Sequence, residues 1–162
     1  MNNQEAQDSI DKCLEELQRI YHLVEGHGGT SPIVPFLTNY AIVRACGTIE
    51  FSFKTILSDS LSGHSTQIAN YIDYTIRNSS MNPSRENICK TLKKFDDTWN
   101  AEFKNRLNTH PDSTRIKSSI DSLNSSRNSF AHGDPLTSSF EDIRKYFNDS
   151  IVIIEILDDI VN

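Results

Sequence analysis

The 162-residue sequence has few of the features that build disulfide-linked or membrane-spanning proteins. Its three cysteines, Cys13, Cys46 and Cys89, are far apart and form no C-x-x-C pair, which is typical of reduced thiols. No apolar run approaches the length of a membrane span. Residues 1–7 are polar and acidic, so they do not resemble a secretory leader. We therefore expect a cytoplasmic protein without a membrane segment.

Signatures of metal and nucleotide binding are also missing. The five histidines form neither an H-E-x-x-H motif nor a cluster with cysteines, so we expect no metal site. Glycines at 26, 28 and 29 follow a helical pattern and lack the Lys-Ser/Thr of a phosphate-binding loop, which indicates a helix stop and no cofactor. No alternating strand pattern or internal repeat is present. These absences leave helical periodicity as the main signal.

Apolar residues recur at every third or fourth position along most of the chain, which predicts helices. The expected helices include residues of about 5–25, 36–59, 65–78 and 112–132. A further segment begins after Asn82 or Ser84 and is either one bent helix or two short ones, and Ser138-x-x-Glu141 matches a capping box at the start of a last helix. The predicted fold class is all-α, a bundle of five to six helices in a single domain over residues 1–162.

The net charge of −6 is unfavourable for binding nucleic acid, but the charges are unevenly distributed. Residues 1–76 and 134–162 are both strongly acidic, whereas residues 77–127 carry ten basic and six acidic groups. The basic side chains before the end of this stretch are Arg77, Arg85, Lys90, Lys93, Lys94, Lys104, Arg106, Arg115 and Lys117. Two interpretations remain open: some of these cations extend a phosphate-binding surface, or they form a solvated face with interspersed carboxylates.

Near the end of the helix expected at 112–132, the run RNSFAHG places Arg127 and His132 five residues apart. A guanidinium binds phosphate through two parallel hydrogen bonds, and an imidazole transfers protons near neutral pH. On a continuous helix these two side chains lie about 140° apart. Gly133 is expected to end the helix and to leave His132 near a C-terminus, where the dipole favours a protonated imidazole. Together the residue types indicate chemistry on a phosphodiester.

Two charged residues upstream are candidates for supporting this motif. Glu50 lies in the apolar stripe of the second helix, so its carboxylate is expected to point inward and to need an arginine or a backbone amide. Arg44 is six residues away and does not face Glu50 on one helix, so it either supports the site or is solvated. In a purely structural alternative, Arg127 pairs with Glu50 across the bundle and His132 only closes its helix.

Residues 127–133 resemble the Arg-x4-6-His signature of the HEPN superfamily, and are most similar to its RiboL-PSP-HEPN domains. The resemblance implies that Arg127 and His132 are catalytic and that Asn128 is the polar residue of the signature. Arg44 and Glu50 resemble an arginine and an acidic residue that such domains commonly have upstream. The resemblance also implies a helical bundle, usually a dimer, that in many members is a metal-independent endoribonuclease acting as a toxin or antiviral effector.

The leading hypothesis is therefore a metal-independent endoribonuclease whose substrate is RNA. In the implied mechanism the RNA 2′-hydroxyl attacks the adjacent phosphate, while Arg127 binds that phosphate, His132 moves protons and Asn128 orients either of them. One arginine and one histidine are too few for acid and base at once, so a homodimer through residues 127–133 is expected. An antitoxin or a regulatory protein is a further candidate partner. The alternative is a non-catalytic HEPN module that binds nucleotides or a protein, or that serves in dimerisation.

Overall fold

The computed structural model describes residues 1–28, 31–61, 63, 65–135 and 137–162. Gly29, one of the glycines expected to end the first helix, lies outside the described residues, and Gly28 closes that helix instead. Within the described ranges the regular structure is entirely helical, which confirms the predicted all-α class. The α-helices are α1 Gln4–His27, α2 Val34–Ser60, α3 Thr66–Ile72, α4 Arg85–Phe95, α5 Asp97–Thr109, α6 Ser113–His132 and α7 Phe140–Val161, and α3 continues as a π-helical turn, Asp73–Arg77.

The described chain has seven α-helices rather than the five to six expected, because α4 and α5 are separate. Asp96 lies between them in an extended conformation, with φ −154° and ψ 121°. Its carboxylate accepts hydrogen bonds from the backbone N–H groups of Thr98 (2.6 Å) and Trp99 (3.4 Å). An aspartate in this position stabilises a helix start by about 1 kcal/mol. Apolar periodicity does not show whether this part of the chain forms one helix or two, because α4 and α5 each bury one apolar face.

Helix α7 begins one residue later than its predicted capping box. The Ser139 hydroxyl accepts the backbone N–H of Asp142 (3.1 Å), and the Asp142 carboxylate accepts the backbone N–H of Ser139 (2.9 Å). Ser138 instead shares a hydrogen bond with the Ser126 hydroxyl of α6 (3.0 Å). The predicted box over Ser138 and Glu141 was wrong by one position, because adjacent serines are each followed three residues later by an acid.

Helix α2 is at the centre of the packing. It contacts α1, α7 and α6, and α6 also packs against α7, so these four long helices enclose most of the apolar core. Phe53 and Ile49 of α2 and Phe147 of α7 are fully buried there. Burial of each such side chain stabilises the fold by roughly 1.5–3 kcal/mol. Helices α4 and α5 pack on each other and reach α6, so they form a second layer beside the motif helix.

None of the helices in the described ranges has an apolar segment long enough to cross a membrane.

Candidate functional site

The motif occupies the last two turns of α6 and the glycine that ends it. Gly133 adopts the left-handed conformation (φ 78°, ψ 16°), which glycine reaches without steric cost, and its N–H donates to the Phe130 carbonyl (3.1 Å). The N–H of Asp134 donates to the Ser129 carbonyl (2.9 Å), which completes a Schellman cap. The helix therefore ends at Gly133, as the sequence predicts, and His132 is its last helical residue.

Arg127 and His132 have different surroundings. Because α6 remains helical through His132, the two side chains leave the helix about 140° apart. Arg127 is half-buried and lies on the side of α6 that contacts α2, whereas His132 is exposed. His132 forms no hydrogen bond or ion pair with the described residues. A single copy of the chain thus points its two candidate catalytic groups in different directions.

The positive charge of Arg127 acts on the thiol of Cys46 on α2. This thiol is buried and donates a hydrogen bond to the Leu123 carbonyl of α6 (3.5 Å). Burial raises the pKa of Cys46 to about 12, and the positive charge of Arg127 only partly opposes that shift. The thiol is therefore protonated at neutral pH. It does not neutralise the guanidinium.

The carboxylate of Glu50 on α2 forms its polar contacts with residues other than Arg127. The ammonium of Lys54 donates to its carboxylate (2.5 Å), and the backbone N–H of Met81 donates to the same oxygen (3.1 Å). Lys54 also donates to the carbonyl of Ser79. The inward carboxylate predicted from the sequence thus uses a backbone amide, as expected, together with a lysine. Arg127 and Glu50 form no ion pair in the structure.

Residues 79–84 form a segment that runs between α2 and the motif. On the α2 side they are held by Glu50, and on the α6 side Asn124 donates to the Pro83 carbonyl (3.4 Å). The side chain of Asn82 donates to the side-chain oxygen of Asn128 (3.4 Å). The sequence does not predict that residues 79–84 border the motif, because their contacts use backbone groups and side-chain amides that are far apart in the chain. The Asn-Pro pair at 82 and 83 marked only a turn.

Arg44 is bonded to a residue of α1 rather than to the motif. Its guanidinium donates two hydrogen bonds to the carboxylate of Glu16 on α1, at 2.6 and 3.1 Å. The hydrogen bond from Arg44 lowers the pKa of Glu16 below its ordinary value. Arg44 therefore joins α1 to α2. The structure gives it a partner on α1 and none in the motif.

Arg127 differs from the other arginines of the chain. Seven of the eight form ion pairs with carboxylates, namely Arg19, Arg44, Arg77, Arg85, Arg106, Arg115 and Arg144. Arg127 forms no ion pair or hydrogen bond with the described residues although it is half-buried. A half-buried guanidinium with all its donors available is suited to bind an oxyanion such as phosphate.

The chemistry that this site offers is phosphate binding and proton transfer. One guanidinium, one imidazole and one carboxamide lie in the last two turns of α6, although they do not face one another in a single copy. Across the ranges that the structure describes, no three His, Cys, Asp or Glu side chains come together in a way that would hold a metal ion.

Comparison with known proteins identifies the family of the chain. The RiboL-PSP-HEPN family model matches residues 8–162, which includes all seven α-helices except the first residues of α1. No curated protein and no solved structure matches the chain. Because the family model matches nearly the whole sequence, the chain belongs to the RiboL-PSP-HEPN family.

Proposed function

We propose that this protein is a metal-independent endoribonuclease. The observation that carries the proposal is the half-buried Arg127, the one arginine with no carboxylate partner among the described residues, five positions before a solvent-exposed His132. Membership of a HEPN family, whose domains are commonly ribonucleases, supports the same conclusion. RNA is the substrate whose phosphate this arginine would bind.

The reaction is transfer of a phosphoryl group within the RNA chain. A base removes the proton of the 2′-hydroxyl, whose oxygen attacks the adjacent phosphorus, and the bond to the 5′-oxygen of the next nucleotide breaks. An acid gives that oxygen a proton, so the products are a 2′,3′-cyclic phosphate and a 5′-hydroxyl. Arg127 stabilises the charge that develops on the phosphate oxygens. His132 moves protons, and Asn128, fixed by Asn82, orients the phosphate or the histidine.

A homodimer through residues 127–133 would supply the acid and the base from two copies of His132. The divergent directions of Arg127 and His132 in one copy support this arrangement. Apolar side chains next to the motif support it further. Phe130 is 40% exposed, and α2 has an exposed stripe beside Cys46 and Glu50 that consists of Phe36, Tyr40, Val43, Gly47 and Phe51.

The dimer is tested by placing a charge on the α2 stripe. Val43 is 49% exposed, so Val43→Glu leaves the core intact while it opposes burial of the stripe against a second copy. We expect this variant to be monomeric by light scattering and inactive on RNA. Ile68→Glu on α3, at a side chain that is 45% exposed, is the matched control and retains both dimer and activity. A Val43→Glu protein that is an active monomer contradicts the shared site.

Cleavage itself is tested with total RNA in excess EDTA. Wild-type protein should produce fragments with cyclic-phosphate ends, whereas Arg127→Ala and His132→Ala should not. A substrate with deoxyribose at the cleaved position should resist every variant, because it lacks the attacking hydroxyl. Intact RNA with the folded, dimeric wild type would argue against the enzyme.

The alternative is a non-catalytic HEPN module that binds nucleotides or a protein partner. One observation favours it, since no described residue hydrogen-bonds the imidazole of His132 to fix its orientation. If this alternative is correct, His132→Ala retains RNA or partner binding and Arg127→Ala loses it. If the enzyme is correct, His132→Ala binds RNA and fails to cleave it.

In the cell, we propose that the activity serves as a cytoplasmic toxin or as an antiviral or stress effector. An antitoxin or another regulatory protein would then restrain it, because an unregulated ribonuclease damages its own cell. Expression of the wild type alone should be toxic and should be tolerated when an antitoxin that binds it is co-expressed, whereas His132→Ala should be harmless without such a partner.

A further inference from the structure

A row of lysines on α4 and α5 is not neutralised by the fold. Lys93 and Lys94 of α4 and Lys104 of α5 are exposed and form no ion pair with the described residues. Lys117 of α6 has only the side-chain oxygen of Asn108 as a partner (2.6 Å). Most arginines of the chain, by contrast, bond carboxylates. Within the basic stretch all arginines except Arg127 bond carboxylates, whereas Lys90 is the one lysine that does so among the described residues.

These lysines line one continuous surface. The lining of a cleft of about 670 Å³ between α4, α5 and α6 includes five cations, Arg85, Lys90, Lys93, Lys104 and Lys117, and the polar Asn100. It also includes two carboxylates, Glu86 and Asp121, which pair with Lys90 and Arg85 and leave the cleft with an excess of positive charge. A neighbouring depression shares Lys90 and Lys93 with it and extends to Asn82. Asn82 donates its hydrogen bond to Asn128 of the motif. The surface thus begins at the motif and continues across α4 into the cleft.

We propose that this surface, defined by Asn82, Lys90, Lys93, Lys104 and Lys117, binds the phosphate backbone of single-stranded RNA next to the cleaved bond. The inference rests on the proposed ribonuclease function and extends it to the nucleotides that flank the scissile phosphate. A lysine ammonium is a compact charge on a flexible stem, so it follows a mobile backbone rather than fixing one phosphate. Arg127 would fix the scissile phosphate, and the lysines would hold the strand on one side of it.

Energetic considerations favour an anionic ligand here. Lys90 lies three and four residues before Lys93 and Lys94 on α4, and like charges at these spacings destabilise a helix by a few tenths of a kcal/mol per pair. Glu86 offsets only part of this repulsion through its contact with Lys90 (2.6 Å). A bound polyanion would remove the rest. Lys93 and Lys94 lie in the last turn of α4, where the helix dipole favours cations, whereas Lys104 has no helix end to stabilise because it lies in the middle of α5.

The floor of the cleft offers a specific contact as well. Asn100 is only 8% exposed, and its side-chain oxygen has no hydrogen-bond partner among the described residues. This oxygen is itself buried, so a base N–H or a ribose hydroxyl would reach it only if the side chain turned toward the cleft. An acidic protein is the other ligand that lysines attract, but the large exposed apolar side chains lie mainly on α2 and α3 rather than in this cleft. We therefore favour RNA.

The test measures binding separately from cleavage. Fluorescence anisotropy with a labelled, fully 2′-O-methylated RNA oligonucleotide reports affinity, because this RNA has no attacking hydroxyl. Lys93→Ala/Lys104→Ala should weaken binding roughly tenfold or more at low salt, and should reduce the slope of log affinity against log salt by about 1.4. Lys12→Ala/Lys145→Ala, which removes two other exposed lysines without ion pairs, should change neither quantity beyond about twofold.

Each outcome has a defined meaning. The proposed RNA-binding surface is wrong if both double variants weaken binding equally, if neither weakens it, or if the wild type does not bind the oligonucleotide. Tighter binding of polyglutamate than of RNA, with the same dependence on Lys93 and Lys104, overturns the choice of RNA. Cleavage of unmodified RNA is measured in parallel. A wild type that binds in the expected manner but leaves unmodified RNA intact contradicts the ribonuclease and retains the surface.

Discussion

Two arginines on α6 show opposite ways of using the same side chain. Arg115, near the start of the helix, donates to the carboxylates of Asp112 (2.9 Å) and Asp149 (2.5 Å). Its hydrogen bond to Asp112, with the charge of Asp149, raises its pKa further above the ordinary value. Arg127, near the end of the same helix, has no carboxylate partner among the described residues. The difference lies in the neighbouring helices, which offer a carboxylate to one arginine and a neutral thiol to the other.

The comparison teaches how to separate a structural cation from a functional one. A charge that is compensated inside the protein contributes to folding and has little left to offer a ligand. A half-buried charge that is not compensated costs free energy in the absence of a ligand, and an anion in its place relieves that cost. Sequence alone shows two arginines on one helix. Only the packing of α2 and α7 distinguishes them.

The largest expected effect is on cleavage. Arg127→Ala should lower the rate of RNA cleavage by on the order of 10³-fold, because the group that stabilises the developing charge is lost. Arg115→Ala should leave the rate per folded molecule within about twofold, since its carboxylate partners already occupy it. Single-turnover kinetics on a defined RNA measure both. A similar loss of cleavage rate in Arg127→Ala and Arg115→Ala would show that a carboxylate partner does not distinguish a structural arginine from a catalytic one.

The reverse contrast is expected for stability. Asp149 is 4% exposed and accepts hydrogen bonds from Arg115 and from the Ser119 hydroxyl (2.6 Å), so Asp149→Ala should lower the free energy of unfolding by about 2–4 kcal/mol. Arg127→Ala should change it by less than about 1 kcal/mol. Urea unfolding followed by circular dichroism gives both values. Asp159→Ala, at an exposed carboxylate of α7, is the control. Equal destabilisation by Asp149→Ala and Arg127→Ala would contradict the assignment.

What the sequence predicts well here is local. The end of α6 at Gly133 follows from glycine's access to a left-handed conformation, and the stripe of α2 that buries Phe53 follows from helical periodicity. The partners of Glu50, Lys54 and the backbone N–H of Met81, do not follow in the same way. A backbone amide is expected from the sequence, but nothing in the sequence identifies Met81, which lies on a segment interpreted only as a turn.

The same limit applies to the basic stretch of residues 77–127. Counting charges identifies its excess of cations, but not which of them are neutralised. Arg85 pairs with Asp121 and Arg77 with Asp59, each across helices, while Lys104 finds no carboxylate among the described residues. Such pairs depend on which helix faces touch. Periodicity gives the buried face of each helix and leaves the identity of its neighbour open.

A smaller effect is expected when Arg127 is given the partner it lacks. Ala131 is exposed and lies one helical turn after Arg127, so Ala131→Glu places a carboxylate within reach of the guanidinium. Competition with RNA should then weaken substrate affinity between about twofold and tenfold, with the loss decreasing at high salt. Ala131→Gln has the same size without the charge and should behave as wild type. An equal effect of glutamate and glutamine would show that bulk, not charge, matters at this position.

The smallest effect concerns Arg44, which the sequence offers as a supporting residue and which the structure pairs with Glu16. A double-mutant cycle of Glu16→Gln and Arg44→Met should give a coupling free energy of about 0.5–1 kcal/mol at neutral pH, because both side chains are partly exposed. Folding lowers the pKa of Glu16 below its ordinary value of 4.5. The coupling free energy is therefore fully present at pH values above 4.5, and it is lost as the pH falls through the lowered pKa.

Cleavage assays on the same variants then test whether Arg44 contributes to the site. If it acts only by holding α1 against α2, Glu16→Gln and Arg44→Met should reduce the rate by the same small factor, because either change breaks the pair. A much larger loss for Arg44→Met alone would mean that its guanidinium leaves Glu16 to bind RNA. In that case Arg44 would be paired with a carboxylate only in the free protein. In the complex with RNA it would be an uncompensated arginine like Arg127.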